Sequence, residues 1–484
     1  MALTGTRTYV GFGFGAIQAG LFLYEAFSSG AFHKLVVAEV RPDVVAAVRE
    51  SGGFFRVNIA RRDHVEQTEV GPVEIEDPAS EADRQRLVEA VANAEEISTA
   101  VPSVRHYVSA GPGSIHRILT AGLQEKVARG GPRAVIYTAE NHNHAAEILE
   151  ASVMDQFSDD QWESVRSQVR FLNTVIGKMS GTVSDAEEIQ TLGLSTITPK
   201  RKDAFLVEVF NRILIPEIRF EPVKGRPPFH RGIEAFVEKR DLIPFEEAKL
   251  YGHNAIHALA AYLGAVRGVR YIAELRDFPE VMSFLRAAMV EESGEALIRK
   301  YAGVDVLFTP EGYRRYADDL LIRMTNPLLR DTVERVGRDP ERKLGWNDRL
   351  IGTMRMALRE GVKPHRYALG AAAALAMIDP SILTEGAGQP CCTQSRLHVL
   401  TDEQSSHLTW EGKRGLDKER SHRLQDTSVA GLLTSLWREA PTNTEDEEHE
   451  VEIVLRMVEE ERHQLVRWRD SGFQARVLYS DIVA

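Results

Sequence analysis

The distribution of apolar positions divides the chain into two parts. Short apolar runs at residues 8–10, 34–39, 97–102, 134–141 and 171–179 are separated by longer amphipathic stretches. This alternation is typical of strands joined by helices in a parallel sheet. From residue 203 onward, apolar positions recur mostly at helical spacing, with 205–210 as one β-prone exception. The pattern predicts an α/β domain over residues 1–195 and a mainly α-helical domain over residues 196–484.

The first predicted strand leads into a glycine-rich turn and then into an apolar helix. Gly11, Gly13 and Gly15 alternate with phenylalanines, and the helix-like run follows at residues 21–27. In this context glycines let the backbone approach a pyrophosphate, which then lies at the positive end of the helix. The cluster departs from the G-x-G-x-x-G pattern, because Gln18 stands at its third position. We predict a Rossmann-like dinucleotide-binding domain, with an ordinary turn as the alternative.

The second predicted strand ends in an acidic residue. Glu39 follows Gly15 by 24 residues. An acid at about this distance binds the adenosine ribose hydroxyls and disfavours a 2′-phosphate. We therefore predict NAD as the cofactor, while Arg41 is a nearby cation that keeps NADP from being excluded.

Polar side chains are concentrated between Lys249 and His257, at the start of a predicted helix. An α-helix turns about 100° per residue, which puts Lys249 and His257 about 80° apart and Asn254 about 140° from Lys249. A buried lysine can act as a base, an amide can stabilise an oxyanion, and an imidazole can orient a hydroxyl. The three residues predict a site that binds and deprotonates an alcohol. The alternative is an amphipathic helix with an ordinary wet face.

Asn141 ends the apolar run at residues 134–141. Ligands of an open parallel sheet bind beyond the carboxyl ends of its strands, so Asn141 is placed to reach a nicotinamide or a substrate. The competing interpretation is an N-cap for a helix that begins near His144. Histidines at positions 142, 144, 253 and 257 make a metal site conceivable, but no H-E-x-x-H pattern or nearby cysteine supports it. We predict no metal.

Composition narrows the class of protein. The chain is 43% apolar and 27% charged, with 71 acidic against 59 basic residues and a net charge of −12. This balance argues against nonspecific nucleic-acid binding. No apolar run approaches the roughly 18 residues of a membrane span, and two cysteines allow no disulfide framework. We expect a cytoplasmic protein with a small-molecule substrate and no nucleic-acid or membrane partner, and leave monomer and dimer open.

A second cluster of charged residues lies at 326–344. Arg335, Arg338, Arg342 and Lys343 fall within nine residues of an acidic protein. Guanidinium groups suit phosphate and polyol oxygens, so the cluster predicts a phosphate-binding site. The alternative is a helix surface on which neighbouring acids balance the charge.

Together these motifs resemble the polyol-specific long-chain dehydrogenases, the mannitol dehydrogenase family. The resemblance rests on Lys-x4-Asn-x2-His followed by Ala-Tyr-Leu-Gly, on the glycine-rich turn and on the 326–344 run, and it covers roughly residues 8–380. It implies a metal-free, NAD-dependent enzyme that interconverts a polyol phosphate and a ketose phosphate, mannitol 1-phosphate and fructose 6-phosphate. Many family members carry a polyol-binding aspartate where this chain has Gly177. A relative that acts on a free polyol or a hexuronate is therefore one alternative, and an NAD-binding sensor without turnover is a second.

The resemblance also implies a role for each matched residue. Lys249 would be the general acid/base, Asn254 and Asn141 would hold the oxygen as it gains charge, and His257 would fix the neighbouring hydroxyl. Arg335, with Arg338 or Lys343, would bind the phosphate. The residues expected to contact the cofactor are Gly13, Gly15, Gly20, Glu39, Thr99, Ala100 and Val101.

The C-terminal part has a different composition. Residues 386–421 are polar and predict a loop insertion, which contains the adjacent Cys391 and Cys392. Residues 440–484 begin with an acidic run and continue as an amphipathic pattern that predicts an extra helix. Neither stretch suggests a chemical role.

Overall fold

The chain forms two compact units in a computed structural model. Unit 1 comprises Met1–Lys249 with Asn326–Leu329, and unit 2 comprises Leu250–Thr325 with Arg330–Ala484. The structure describes residues 5–222, 228–384, 428–437 and 445–478, so the predicted loop insertion and both cysteines lie outside the described residues. No helix among the described residues is long and apolar enough to cross a membrane.

Unit 1 is built from strands and short helices in alternation. Its strands are β1 (Arg7–Phe12), β2 (Phe32–Ala38), β3 (Phe55–Ala60), β4 (Val65–Val70), β5 (Glu74–Glu76), β6 (Glu96–Thr99), β7 (Ala134–Thr138), β8 (Val169–Asn173), β9 (Val175–Ile176), β10 (Ser180–Val183), β11 (Ala204–Glu208), β12 (Ile213–Pro216) and β13 (Phe236–Lys239). Its α-helices are α1 (Tyr24–Ser29), α2 (Pro42–Glu50), α3 (Glu81–Asn93), α4 (Ile115–Ala128), α5 (Ala145–Met154), α6 (Asp159–Arg166), α7 (Ala186–Thr191) and α8 (Ile243–Glu247).

The central sheet of unit 1 is parallel, with strand order β5-β2-β1-β6-β7-β8. Successive residues of a strand point to opposite faces, and both faces are buried here. Tyr9 and Val37 belong to the apolar cluster on one face, and Val10 and Val36 to the cluster on the other. The strand order reverses between β1 and β6, so the loops after these strands form the crevice where a doubly wound sheet binds its ligand.

Two smaller sheets complete unit 1. One has the order β10-β11-β3-β4 and the other β13-β12-β9. Strand β11 lies at the β-prone exception predicted for residues 205–210, whereas β12 and β13 lie in a stretch whose sequence pattern predicts helix. The predicted boundary at residue 195 precedes β11, which pairs with β3 of the same unit.

Unit 2 is helical within its described residues. Its α-helices are α9 (Ala255–Arg267), α10 (Pro279–Ala287), α11 (Glu295–Lys300), α12 (Pro310–Met324), α13 (Val333–Gly337), α14 (Pro340–Lys343), α15 (Ile351–Arg359), α16 (His365–Ile378), α17 (Val429–Leu436), α18 (Glu445–Asp470) and α19 (Ala475–Leu478). Helices α9 and α16 are rich in alanine and pack closely, because a Cβ at Gly370 would lie 2.3 Å from Leu259.

Three π-helical segments interrupt the regular helices within the described residues, two of them at the glycine-rich turn and the lysine motif. They are Gln18–Leu23 after the glycine-rich turn, Ala248–Asn254 in the lysine motif and Ala288–Gly294 between α10 and α11. A π-helix bonds residue i to i+5 and is rare, and it occurs often at functional sites.

Candidate active site

The glycine-rich turn after β1 is shaped by two different requirements. Gly13 has a φ of +87°, and a Cβ there would lie 2.7 Å from the carbonyl oxygen of Ala100. Both its backbone conformation and its contact with the turn after β6 therefore require glycine. A Cβ at Gly15 would meet open space. The protein's own packing does not require glycine at position 15, so the room beside it is available to a ligand.

Gly20 has a packing role in this structure. It is buried in the π-helical segment, and a Cβ there would lie 2.5 Å from Cγ1 of Val207. The expected cofactor contact of Gly20 stays a prediction, and the lack of a side chain there allows close packing of the helix on β11. This is the helix-packing function that the third glycine of the dinucleotide fingerprint usually has.

Gln18 occupies the missing third glycine position with a buried side chain. Its Nε2 donates a hydrogen bond to the Tyr9 hydroxyl at 2.6 Å, and its Oε1 accepts one from Ser98 at 2.9 Å. The absence of a side chain at Gly11 makes room, because a Cβ there would lie 2.2 Å from the Gln18 Nε2. Gln18 thus links the helix that follows the glycine-rich turn to β1 and β6.

Glu39 lies directly behind the glycine-rich turn. Its carboxylate is buried and accepts a hydrogen bond from the Phe14 backbone N–H at 3.0 Å. The other carboxylate oxygen accepts from the backbone N–H and the Nε of Arg41, at 2.9 and 3.1 Å. The acid that sequence analysis assigns to the ribose is thus held at the turn, and the exposed Arg41 covers it.

The turn after β6 is held by a residue that sequence analysis passes over. The buried carboxylate of Glu140 accepts hydrogen bonds from the Thr99 hydroxyl and the Val101 N–H, both at 2.9 Å, and from the Tyr107 hydroxyl. Burial raises the pKa of Glu140. The predicted cofactor-lining residues 99–101 are therefore positioned from the end of β7. The sequence signal for Glu140 is its place directly before Asn141.

Asn141, next to Glu140, is exposed just beyond β7. Helix α5 begins with His144 in the N-cap position, and no side chain caps it. The competing interpretation of Asn141 as a helix cap is therefore wrong, and its amide faces solvent at the sheet's carboxyl edge. No group of three or more metal-binding side chains is found among the described residues.

Lys249 lies in the π-helical segment Ala248–Asn254, at the end of unit 1. The α-helical angles expected for this stretch therefore do not apply, because a π-turn brings residue i+5 over residue i. Residue 254 follows residue 249 by that interval, so their backbones occupy successive turns. Burial raises the pKa of the Glu246 carboxyl, and the neighbouring Glu147 raises this pKa further. His144 and Lys249 lower it. Lys249 is thus electrostatically coupled to a half-buried carboxyl of its own unit.

In unit 2 one buried carboxylate joins two of the predicted residues. Asp331 Oδ2 lies 3.4 Å from Nε2 of His257, and Asp331 Oδ1 forms an ion pair with the Arg335 guanidinium. The Arg335 side chain is 48% exposed, against 7% for Asp331. Sequence analysis missed Asp331, although it belongs to the same 326–344 run as Arg335.

Arg338 and Lys343 have contrasting environments. Arg338 is exposed and forms no ion pair with any residue in the described parts of the chain. Lys343 is 3% exposed, and its ammonium donates to the Arg338 carbonyl. Burial, together with Arg349 and Arg342, lowers the pKa of Lys343 to about 8. The structure therefore presents Arg338 to solvent but uses Lys343 to fasten the segment between them, contrary to its expected role as a phosphate ligand.

The sheet order, the turn after β1 and the acid after β2 define a dinucleotide-binding dehydrogenase with a helical second unit. Residues 7–224 match the family described as Mannitol dehydrogenase Rossmann domain, and residues 241–387 match Mannitol dehydrogenase C-terminal domain. The chain belongs to the mannitol dehydrogenase family. Membership confirms the predicted fold class and the predicted enzyme class, an NAD-dependent polyol dehydrogenase.

Curated relatives carry a more specific name. The chain is 30% identical over 380 residues to mannitol-1-phosphate 5-dehydrogenase of Exiguobacterium sibiricum, covering 77% of this chain and 86% of that protein. It is 29% identical over 363 residues to the protein of the same name from Halalkalibacterium halodurans, covering 75% of this chain and 87% of that protein.

Solved structures share the fold at lower identity. Pseudomonas fluorescens mannitol 2-dehydrogenase, in a ternary complex with NAD and D-mannitol, has a TM-score of 0.63 at 17% identity. A D-sorbitol dehydrogenase has a TM-score of 0.69 at 14% identity. Each comparison covers 98% of this chain and 95% of the other.

Proposed function

We propose that this protein interconverts mannitol 1-phosphate and fructose 6-phosphate with NAD as the hydride carrier. The observation that supports a phosphorylated substrate is the pair Arg335 and Arg338, whose side chains are half-exposed and exposed, respectively. Arg335 contacts the Asp331 carboxylate, which also faces His257. The curated relatives named mannitol-1-phosphate 5-dehydrogenase support the same substrate.

When bound at the glycine-rich turn and Glu39, NAD⁺ would accept the hydride from the carbon that carries the hydroxyl, so that the alcohol is oxidised to a ketone. In the oxidative direction the Lys249 amine takes the hydroxyl proton. Asn254 and Asn141 donate amide N–H groups to the oxygen as it gains charge. In the reductive direction the lysine ammonium returns the proton, so Lys249 is both the base and the acid.

His257 fixes the hydroxyl next to the reacting carbon. A carboxylate beside Nε2 favours the tautomer that carries its proton there, which leaves Nδ1 as an acceptor. Asp331 supplies this carboxylate at 3.4 Å. The same carboxylate holds Arg335, so binding of the hydroxyl and of the phosphate depends on one anchoring group.

The phosphate is bound by Arg335 and Arg338, whose guanidinium groups offer paired N–H donors to its oxygens. Asp331 contacts the Arg335 guanidinium through Nη2. Lys343 supports these residues by holding the Arg338 main chain.

The test is absorbance of the reduced nicotinamide, with NADH or NADPH against fructose 6-phosphate, fructose and a panel of ketouronates. We expect oxidation with NADH and fructose 6-phosphate, and an Arg338→Gln variant with a raised KM for that substrate only. Turnover only with an unphosphorylated ketose would leave Lys249 in place but refute the phosphate site, in favour of the alternative that Gly177 suggests. NADH binding without turnover of any ketose would refute the proposed enzyme activity.

A further inference from the structure

The C-terminal segment, defined here as residues 428–437 and 445–478, follows the region that matches the family. That region ends at residue 387. Helix α18 nevertheless packs along α16, with Val454, Val458 and Leu465 fully buried. The segment is therefore an integral part of unit 2, and its contacts can affect the substrate residues of that unit.

One contact reaches the segment that carries the proposed phosphate ligand. The indole Nε1–H of Trp437, directly after α17, donates to the main-chain carbonyl of Leu344 at 2.8 Å. Both residues are buried, with Trp437 5% and Leu344 0% exposed. A buried carbonyl that loses its donor is costly, so this hydrogen bond holds the end of α14 at a defined place.

Two short steps lead from Leu344 to Arg338. The Leu344 backbone N–H donates to the Pro340 carbonyl oxygen at 2.9 Å. This hydrogen bond closes the single turn of α14. The preceding residue, Lys343, holds the Arg338 carbonyl with its ammonium. Residues 338–344 thus form a compact loop whose N-terminal end carries Arg338 and whose C-terminal end is bound by Trp437.

A second contact of the C-terminal segment is made two residues beyond this loop, at Trp346. The Arg355 guanidinium stacks over the Trp346 ring at 3.9 Å and pairs with Glu450 of α18 at 2.9 Å. The Trp346 and Trp437 rings are themselves 4.9 Å apart. Two tryptophans and one arginine therefore connect the residues that directly follow the loop to Trp437 and to α18.

We infer that Trp437 is a positioning residue for the substrate phosphate, acting through the Leu344 carbonyl on the loop that presents Arg338. This inference rests on the proposed function, because it takes the loop as part of the phosphate site. It assigns the C-terminal segment a part in substrate specificity, beyond any contribution to stability.

The experiment compares Trp437→Phe with Trp468→Phe in the full-length protein. Phenylalanine keeps an aromatic ring but removes the N–H donor. Trp468 is a matched control, because it is fully buried in α18 and its indole nitrogen has no hydrogen-bond partner among the described residues. We expect Trp437→Phe to raise the KM for fructose 6-phosphate about fivefold, the effect of one neutral hydrogen bond. The kcat and the KM for NADH should stay within about twofold of wild type.

A Trp437→Phe variant that loses thermal stability but keeps the wild-type KM would overturn the inference, and so would an equal rise in KM for Trp468→Phe. If Trp437→Phe does not fold, amide hydrogen exchange of the wild-type protein decides instead. Slower exchange in both residues 338–346 and residues 429–437 on adding fructose 6-phosphate supports the inference, and slower exchange in residues 338–346 alone refutes it. If the wild-type protein turns over only fructose, the proposed function has failed. Turnover of fructose 6-phosphate by the wild-type protein, with an unchanged KM in Trp437→Phe, refutes the positioning role alone.

Discussion

Nε2 of His257 lies 3.4 Å from Oδ2 of Asp331, and the other oxygen of that carboxylate holds the Arg335 guanidinium. The two groups on either side of this carboxylate come from α9 and α13, 78 residues apart in the chain. One buried charge therefore fixes both the residue proposed to orient a hydroxyl and a residue proposed to bind the phosphate. Loss of the charge should impair both at once.

Asp331→Asn tests this coupling, because asparagine keeps the shape and removes the charge. Hydrogen bonds to charged groups contribute about 1.5–3 kcal/mol, so we expect kcat/KM for fructose 6-phosphate to fall roughly 10- to 100-fold. Asp318→Asn is the control, since Asp318 pairs with Arg286 at 2.6 Å in a half-exposed ion pair. Steady-state kinetics of both variants make the comparison. Equal activity of the two variants would show that Asp331 supports neither His257 nor Arg335.

Lys249→Ala removes the proposed acid/base group. General acid/base catalysis contributes about 10²- to 10⁴-fold, so kcat should fall by that amount while the Kd for NADH stays unchanged. NADH binding, measured by fluorescence titration, separates the loss of chemistry from a loss of folding. Lys200→Ala is the control, because Lys200 is exposed and pairs with Glu50. Near-normal turnover of Lys249→Ala at neutral pH would rule out the lysine mechanism.

Glu39→Gln tests cofactor choice. The carboxylate lies at the glycine-rich turn, where it accepts from the Phe14 N–H at 3.0 Å. We expect the variant to raise the KM for NADH about tenfold and to change the KM for NADPH less, because the amide no longer repels a 2′-phosphate. The control, Glu74→Gln, removes an acid that pairs with Lys34 on the surface at 2.8 Å. A wild-type enzyme without preference for NADH would contradict the assignment.

Gly15 and Gly20 should respond differently to alanine. At Gly15 the methyl group enters open space, so thermal stability should hold while the KM for NADH rises about tenfold or more. At Gly20 the methyl group would meet Val207, so unfolding free energy should fall by about 1–3 kcal/mol. Val207→Ala combined with Gly20→Ala should recover part of that loss. Denaturant unfolding and NADH kinetics distinguish the two glycines, and identical behaviour would refute the distinction.

Much of unit 1 is predictable from sequence because its signals are local. The apolar runs place β1, β2, β6, β7 and β8, and the spacing from Gly15 to Glu39 locates the acid at the turn. The packing role of Gly20 was not predictable, because Val207 is far away in the chain. The ties of Glu140 to Thr99 and Tyr107 likewise join residues 41 and 33 positions apart.

The lysine motif shows a different limit of sequence analysis. Its residue types indicate the chemistry, but apolar periodicity does not distinguish an α-turn from the π-turn over Ala248–Asn254. The charge of Lys343 suggested a phosphate ligand, and only burial shows that its ammonium is used within the fold. Composition counts charges, whereas tertiary structure decides which of them are available to a ligand.

The start of α16 predicts a pH dependence of stability. The hydrogen bond from His365 Nδ1 to Glu461 of α18, 2.8 Å long, raises the pKa of His365 above its ordinary 6.5. Glu292 raises this pKa further, whereas burial and Lys363 lower it. The folded protein therefore holds a proton that the unfolded chain releases just above pH 6.5. This contribution to stability is complete below pH 6.5 and is lost as the pH rises through the folded-state pKa.

His365→Asn should therefore destabilise the protein most at about pH 6, and the difference from wild type should shrink towards about pH 8.5. Thermal unfolding at a series of pH values measures this difference. His463→Asn is the matched control, because exposed His463 lies 3.3 Å from Glu459 on the same helix, where solvent screens the pair. A destabilisation by His365→Asn that is constant with pH would mean that packing, and not the charged hydrogen bond to Glu461, accounts for the effect.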